Sequence, residues 1–407
     1  MFHELNKTQR KLLLSFFLFA LASPMIVVYS NTFLWRQSQD PIILAIFNIG
    51  NYVGIAIGFL INAFLLRKFQ SGQLYALGCL LQGIVPLCLV TLGAQANTYV
   101  LPLGILLGIA QGFFWGNRNT LTSKGTEGPQ RYQFISLETA SGILAGIVSP
   151  LLIGWFIAHS QSLSSYTVTQ AYQISSVLGL ILLIISGLLA LPLVTEPFVT
   201  KKFFLASVSP FWKKQRFIEL INGIYSGIES VLPLLIILLF LGQEEAVGSI
   251  KALTSVLSAW VIYVIGKRVK HKHHTVLVGL WMVFTFIGSV LFTFWYSATA
   301  ALLFFILSGL VGSLRWSSFA AVMYETIDHE IKRDGSHRFL YLLDRELFLN
   351  LGRILGLGVF IVLYLIDSQL LIRYGLILII FIQIPNLFLL NHMTKRLAHT
   401  AKTIENA

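Results

Sequence analysis

Nothing charged lies between Lys11 and Arg36, between Asp40 and Arg67, between Lys68 and Arg118, or between Glu138 and Glu196. Uncharged intervals of that length constrain the fold more than any motif in the chain. A helix needs about 20 predominantly apolar residues to cross about 30 Å of hydrocarbon, and the last two intervals each hold two crossings with a polar turn. The pattern predicts twelve spans, near 11–31, 42–66, 73–93, 97–117, 137–158, 172–193, 217–241, 246–266, 275–296, 298–322, 342–366 and 371–391. Only 11% of the 407 residues are charged, against about a quarter in a soluble domain, so the solvent is largely lipid. The fold class is an all-α polytopic membrane protein of 12 transmembrane helices.

Lysine and arginine alternate with the spans. One side carries Lys7, Arg10 and Lys11, Arg67 and Lys68, Arg118, Lys124 and Arg131, the cluster from Lys201 to Arg216, and Lys267 to Lys272. It also carries Lys332, Arg333 and Arg338, and Lys395 to Lys402, while the opposite side has little beyond Arg36, Lys251 and Arg373. Positive charge in short loops is retained in the cytoplasm, so both termini are expected there, in a cell (inner) membrane. The net charge of +12 follows from the same asymmetry and from anionic headgroups, not from nucleic-acid binding. The first apolar run exceeds a signal peptide's core and reads as a retained helix. Cys79 and Cys88, about 13.5 Å apart along one helix, are too distant to pair.

The chain also repeats itself. A shift of 206 residues lays Glu138 on Asp344, Leu137 on Leu343 and Gly146 on Gly352, so the fifth span falls on the eleventh and the first on the seventh. A shift of 201 sets Gln111-Gly112-Phe113-Phe114-Trp115 against Val311-Gly312-Ser313-Leu314-Arg315, with Trp316 next. The basic segment 195–216 then joins two six-helix bundles, 1–194 and 217–407, in parallel orientation.

Two six-helix halves, a basic connector and both ends inside resemble the major facilitator superfamily of secondary transporters. Its acidic-Gly-Arg-Arg loop between spans two and three is degenerate here, as Leu66-Arg67-Lys68-Phe69-Gln70-Ser71-Gly72, with a fragment in Gly266-Lys267-Arg268. Its fourth-span signature places an arginine three residues before Gln-Gly. Gln111-Gly112 is present, but Gly108 stands at the arginine position. The fifth-span signature of antiporting exporters, Gly-x-x-x-Gly-Pro-x-x-Gly-Gly, is approximated by Ala145 to Gly154, with Pro150 and Gly154 matching. That resemblance favours export; small residues at those positions equally suit a tight helix crossing. Gly50, Gly54 and Gly58 read as a close-packing ladder on span two.

Charge at bilayer depth costs several kcal/mol unless it meets a partner or a cavity, and the mid-span charges Glu229, Arg315 and Arg353 all lie in the second half. Asn222, Ser226 and Glu229, with Tyr225 one turn before Glu229, form one polar stripe on span seven. Glu346, Asn350 and Arg353 repeat the spacing on span eleven, and Gln111, Trp115 and Arg118 on span four. Pro233 has no N–H to give the carbonyl of Glu229, so the helix is expected to bend at its mid-span acid. Glu229 is the expected proton carrier, since desolvation favours the neutral acid and Arg315 or Arg353 the carboxylate. The alternative is a fixed ion pair that sets helix packing. Asn51, Gln111, Trp115, Asn222, Tyr225, Trp316 and Asn350 are the candidate solute contacts. Two arginines against one glutamate suit an anionic or zwitterionic cargo. At the cytoplasmic ends, Arg118 with Glu138 and Asp344 with Arg345 read either as an inner gate or as solvated loop charges.

The run Lys270-His271-Lys272-His273-His274 does not read as a metal site, because interleaved lysines repel a cation, and no cofactor is expected. A glycine-rich nucleotide loop does not occur. A lipid-linked transferase needs paired carboxylates or a metal-holding acidic cluster at the membrane boundary. Glu244-Glu245 and Asp328 with Glu330 lack accompanying ligands. A channel needs a filter-like segment. The expectation is a monomeric, alternating-access transporter that exports a small organic, anionic or amphipathic solute against protons. The alternatives are a proton-coupled importer of an anionic or zwitterionic solute and a multispan enzyme acting on lipid-linked substrates.

Overall fold

A computed structural model describes residues 5–125, 128–164, 166–193, 205, 207–266, 273–335 and 338–405. It contains 12 helical segments long and apolar enough to cross a membrane. In the first half they are Lys7–Ser38, Pro41–Leu65, Ser71–Thr98, Val100–Thr122, Gln133–Ala158 and Val168–Ala190. In the second they are Pro210–Leu241, Glu244–Ile265, His274–Trp295, Ala298–Asp334, Arg338–Ile366 and Ser368–Leu397. Each expected span falls on one of these, and no strand occurs among the described residues.

The helix starts are written in the sequence. Asn6 accepts from the Gln9 backbone at 2.8 Å while Gln9 Oε1 accepts from the Asn6 backbone at 3.0 Å, a reciprocal cap. Asp40 with Pro41 and Ser209 with Pro210 open spans two and seven, each side chain accepting a backbone N–H while proline fills the first helical position. The second of these caps corrects the expected boundary. Ser209 and Pro210 start span seven before Arg216, so the end of the expected connector is already helix; 194–204 lie outside the described residues.

Spans one and seven are both broken. Span one consists of Lys7–Ile26 and Val28–Ser38, hinged at Val27 with φ −116° and ψ −54°. In span seven, Pro210–Glu229 is followed by Leu232–Ile236 and a π-helical turn over Ile237–Leu241. Its hinge, Val231, has φ −117° and ψ −51°. The bend falls where Pro233 leaves the Glu229 carbonyl without its helical donor, and the pairing of the first span with the seventh extends to backbone geometry.

By contact the chain forms two compact units, Met1–Lys201 with Gly242–Ala252, and Lys202–Leu241 with Leu253–Ala407. The assignment of Gly242–Ala252 to the first unit departs from a simple division into sequence halves. In the first unit the glycines of spans two and four meet directly. A Cβ on Gly50 would lie 2.6 Å from the Leu101 carbonyl oxygen, and one on Gly112 2.7 Å from the Gly58 backbone. The second unit has a similar seam on different spans, Gly223 and Gly227 of span seven against Gly352 and Gly356 of span eleven. Between lipid-bathed helices such contact supplies the attraction that water would otherwise drive. Cys79 and Cys88 are both free thiols.

Candidate functional site

The break in span seven presents Glu229 at the last turn of Pro210–Glu229. Glu229 Oε1 accepts from Tyr225 Oη at 3.0 Å, and Oε2 from Arg315 Nη2 of span ten at 3.0 Å. The guanidinium lies over two aromatic faces, 4.3 Å from the Tyr225 centroid and 5.1 Å from that of Trp281 on span nine. Those rings meet edge to face at 5.3 Å. The electron-rich ring faces favour the cation, so four side chains from three spans form one charge-compensated cluster. The burial is unequal: the Arg315 side chain is 13% exposed and Glu229 39%. The cation is enclosed, and the carboxylate is the accessible partner.

Arg353 faces a different acceptor. It donates to Asn350 Oδ1 at 3.0 Å, and Asn350 donates in turn to Glu346 Oε2 at 3.3 Å. Of the two arginines expected against Glu229, the ion pair goes to Arg315. Asn222 is buried and accepts from Asn386 Nδ2 of span twelve at 3.2 Å. It ties two helices together, whereas Asn350 bonds within span eleven. Asn51 and Gln111 are buried in the first unit, whereas Trp115 is 42% and Trp316 60% exposed. Tyr225 is the one expected solute contact that touches the Glu229 pair.

A family model described as Major Facilitator Superfamily matches residues 12–333. The chain belongs to that superfamily. Solved transporters share its architecture at 10–12% identity, which speaks to fold alone. A POT family transporter in complex with 5-aminolevulinic acid superposes with a TM-score of 0.72 over 95% of this chain and 96% of its own, at 10% identity. A D-xylose-proton symporter gives 0.71 over 94% and 96%, at 12% identity. The human organic anion transporter MFSD10 (TETRAN) gives 0.61 over 94% and 98%, also at 12%. Two bacterial relatives are similar in sequence. The uncharacterized protein YqgE of Bacillus subtilis (strain 168) is 24% identical over 349 residues, 85% of this chain and 80% of its own. An uncharacterized protein in the sodM 3′ region of Geobacillus stearothermophilus is 27% identical over 149 residues, 37% of this chain and 70% of its own. The protein is thus a multi-pass membrane protein of a superfamily of transporters.

Within the superfamily pattern, the fourth-span departure has a physical cause. A Cβ on Gly108 would collide with the Asn51 carbonyl oxygen and lie 2.7 Å from Gly54 Cα, so an arginine cannot occupy that position while the seam is closed. The fifth-span residues also have a packing role. The Pro150 carbonyl accepts from Tyr29 Oη at 2.5 Å, and Gly154 lies where any side chain would strike the Glu244 backbone.

Of the two charge pairs expected at the helix ends, one forms and one does not. Arg118 bonds Glu138, with its guanidinium 5.0 Å from the Phe16 centroid and 5.3 Å from that of Trp115. Asp344 does not pair with Arg345. It accepts from Arg216 Nε at 2.8 Å, Arg216 Nη2 at 2.6 Å and Trp212 Nε1 at 2.7 Å. Arg345 turns instead to Glu219, at 3.3 Å, and Glu346, at 2.5 Å. Successive side chains on a helix point about 100° apart, so adjacent residues on span eleven face different neighbours. Of the basic run near 270, residues 267–272 lie outside the described residues; His274 is buried.

Sequence reasoning missed Trp281 because its span carries no aspartate, glutamate, lysine or arginine to draw attention to it. It also missed the partner of Glu244. The scarcity of charge on that side was the available signal, since it left Arg36 as one of few bases able to answer a buried acid.

Proposed function

We propose that the protein is a secondary active transporter working by alternating access, and that it exports a small organic solute, anionic or amphipathic, in exchange for protons. Glu229 takes up the coupling proton, and Arg315 holds the carboxylate in place until it does. The observation that carries this reading is the unequal burial of a mid-membrane pair. A guanidinium fixed between Tyr225 and Trp281 faces a carboxylate that is 39% exposed and sits at the break in its own helix. Leaving the carboxylate exposed spares part of the desolvation cost of a fully enclosed pair and keeps it within reach of a proton. Protonating Glu229 removes its attraction for Arg315 and frees the guanidinium for an anionic group on the solute. Arg353, on its Asn350 tether, supplies the second positive charge that biases the site toward anions. Asn51, Gln111, Trp115, Asn222, Trp316 and Asn350 are proposed solute contacts of lower rank than Tyr225. The direction rests on the partial Ser149-Pro150 to Gly154 signature, and proton-coupled import is the competing reading.

The test is a panel of radiolabelled anionic, zwitterionic and amphipathic solutes in proteoliposomes of defined orientation under an imposed pH gradient. Solute movement opposite to the proton gradient supports exchange, and movement with it replaces export by symport. Glu229→Gln is expected to abolish gradient-driven accumulation while leaving solute exchange at equal pH. A Glu229→Gln protein with the wild-type response to the gradient defeats the coupling role.

A further inference from the structure

At the start of span seven and the end of span twelve, two helices of the second unit meet through two bases. Lys214 Nζ lies 2.7 Å from His392 Nε2, a geometry in which the ammonium donates to the ring nitrogen. Arg396 stands one turn beyond His392 on the same helix, and its charge, with that of Lys214, bears on the imidazole. Lys213 and Lys395 flank the group and are exposed. Among the described residues no carboxylate pairs with Lys214 or His392. Glu219, the next acid along span seven, is buried against Arg345, and Arg216 has its own acid in Asp344. Residues 384–397 of span twelve include neither aspartate nor glutamate.

Lys214 and Arg396 bring like charge to one ring, and an anion bridging them would relieve their repulsion. One turn further into the spans the surface is apolar. Phe388 and Ile384 precede His392 by one and two turns on the same helix face and are 69% and 38% exposed. Phe217, one turn into span seven from Lys214, is 50% exposed. Both helices therefore pass from exposed apolar side chains to bases within a single turn. That succession fits a phospholipid, whose acyl chain lies against the rings while its phosphate accepts charge-assisted bonds from the bases. A soluble phosphate would use the same donors and gain nothing from Phe388.

We propose that Lys214, His392 and Arg396 bind the phosphate of a net-anionic phospholipid, with one acyl chain lying along Phe388 and Ile384. The site needs neither a transported solute nor a coupling proton, so it stands apart from the reading of Glu229. Net charge separates the lipids it accepts from those it does not. A zwitterionic headgroup brings its own cation to the cluster and offsets the gain.

Purified full-length protein in detergent is titrated with dioleoyl phosphatidylglycerol, dioleoyl phosphatidylcholine and glycerol 3-phosphate, and bound ligand is counted by native mass spectrometry. One phosphatidylglycerol is expected to bind about tenfold more tightly than phosphatidylcholine, and Lys214→Gln with His392→Gln should remove about that factor. Lys7→Gln with Lys68→Gln takes two charges from other exposed positions and should leave the tightest site unchanged. Phe388→Ala should weaken phosphatidylglycerol binding without affecting glycerol 3-phosphate. Lys214→Arg should retain binding, and Arg396→Gln is the second disabling variant should the Lys214 and His392 pair misfold. Wild-type affinity in the disabled variants, or an equal loss in the Lys7 and Lys68 control, overturns the site. Equal binding of phosphatidylcholine defeats the recognition of net charge. Glycerol 3-phosphate bound as tightly as the lipid, with Phe388→Ala silent, makes the ligand a soluble phosphate and likewise overturns the proposal.

Discussion

Residue by residue, the second unit shows how far a carboxylate's choice of partner departs from proximity in sequence. Asp344 bypasses the adjacent arginine for Arg216, whose two donors meet its two oxygens, and Trp212 adds a third bond. A double-mutant cycle measures the difference. Asp344→Asn with Arg216→Gln should show a coupling of about 1–3 kcal/mol in detergent unfolding, as expected for hydrogen bonds to charged groups. The same cycle with Arg345→Gln should give about 0.5 kcal/mol or less. The identity of the charged positions was legible in the chain, because an ionic group within an apolar run is conspicuous. Their pairing was not. It depends on how each helix is rotated against its neighbours, and a turn of about 100° per residue sends adjacent side chains to different spans. Glu229 and Tyr225 were recognisable together because they share a helix face. Trp281 completes the same cluster from a helix whose sequence carries no mark of it.

Whole helices were far easier to read than their contacts. The twelve apolar runs and the glycine ladder of span two each have a local cause, and each appears in the structure. The bend in span seven likewise followed from one missing N–H at Pro233. Restoring that N–H by Pro233→Ala should leave thermal stability equal or higher, since proline inside a helix costs about 3 kcal/mol. Solute transport should fall, because Glu229 loses its place at a helix break; the proteoliposome assay and a thermal scan together check this. The glycines separate in the same way. Gly108→Ala drives a methyl into the span-two backbone and should lower the unfolding temperature sharply. Gly142→Ala, with nothing within 4 Å of its added carbon, should be neutral or raise stability by about 0.5–1 kcal/mol through helix entropy. What remained hidden in the sequence was the partner of each ladder, because span four offers its own glycines at the same spacing and only packing registers one against the other.

At the scale of the molecule, loop charge predicts that both ends share one side of the membrane, and twelve crossings require it of any chain whose first residue starts there. A green fluorescent protein fused after Ala407 should fluoresce, and alkaline phosphatase at the same position should stay inactive. Fusions in the 239–243 turn should reverse both outcomes. Compactness divides the chain unevenly along its length, with Gly242–Ala252, the start of span eight and the two residues before it, assigned across the sequence midpoint, and no internal repeat announces that exchange. Both units answer buried acids with arginine, Arg36 on Glu244 in the first and Arg345 on Glu219 in the second, and the first also pairs buried amides, Asn48 Nδ2 on Asn31 Oδ1 at 2.7 Å. The matched interruptions at Val27 and Val231 have a mechanical corollary. Each of these spans possesses its own joint, so the portion after Val27 or Val231 can tilt without dragging the portion before it along, and the ion pair at Glu229 can stay assembled while the apolar segment after Val231 swings.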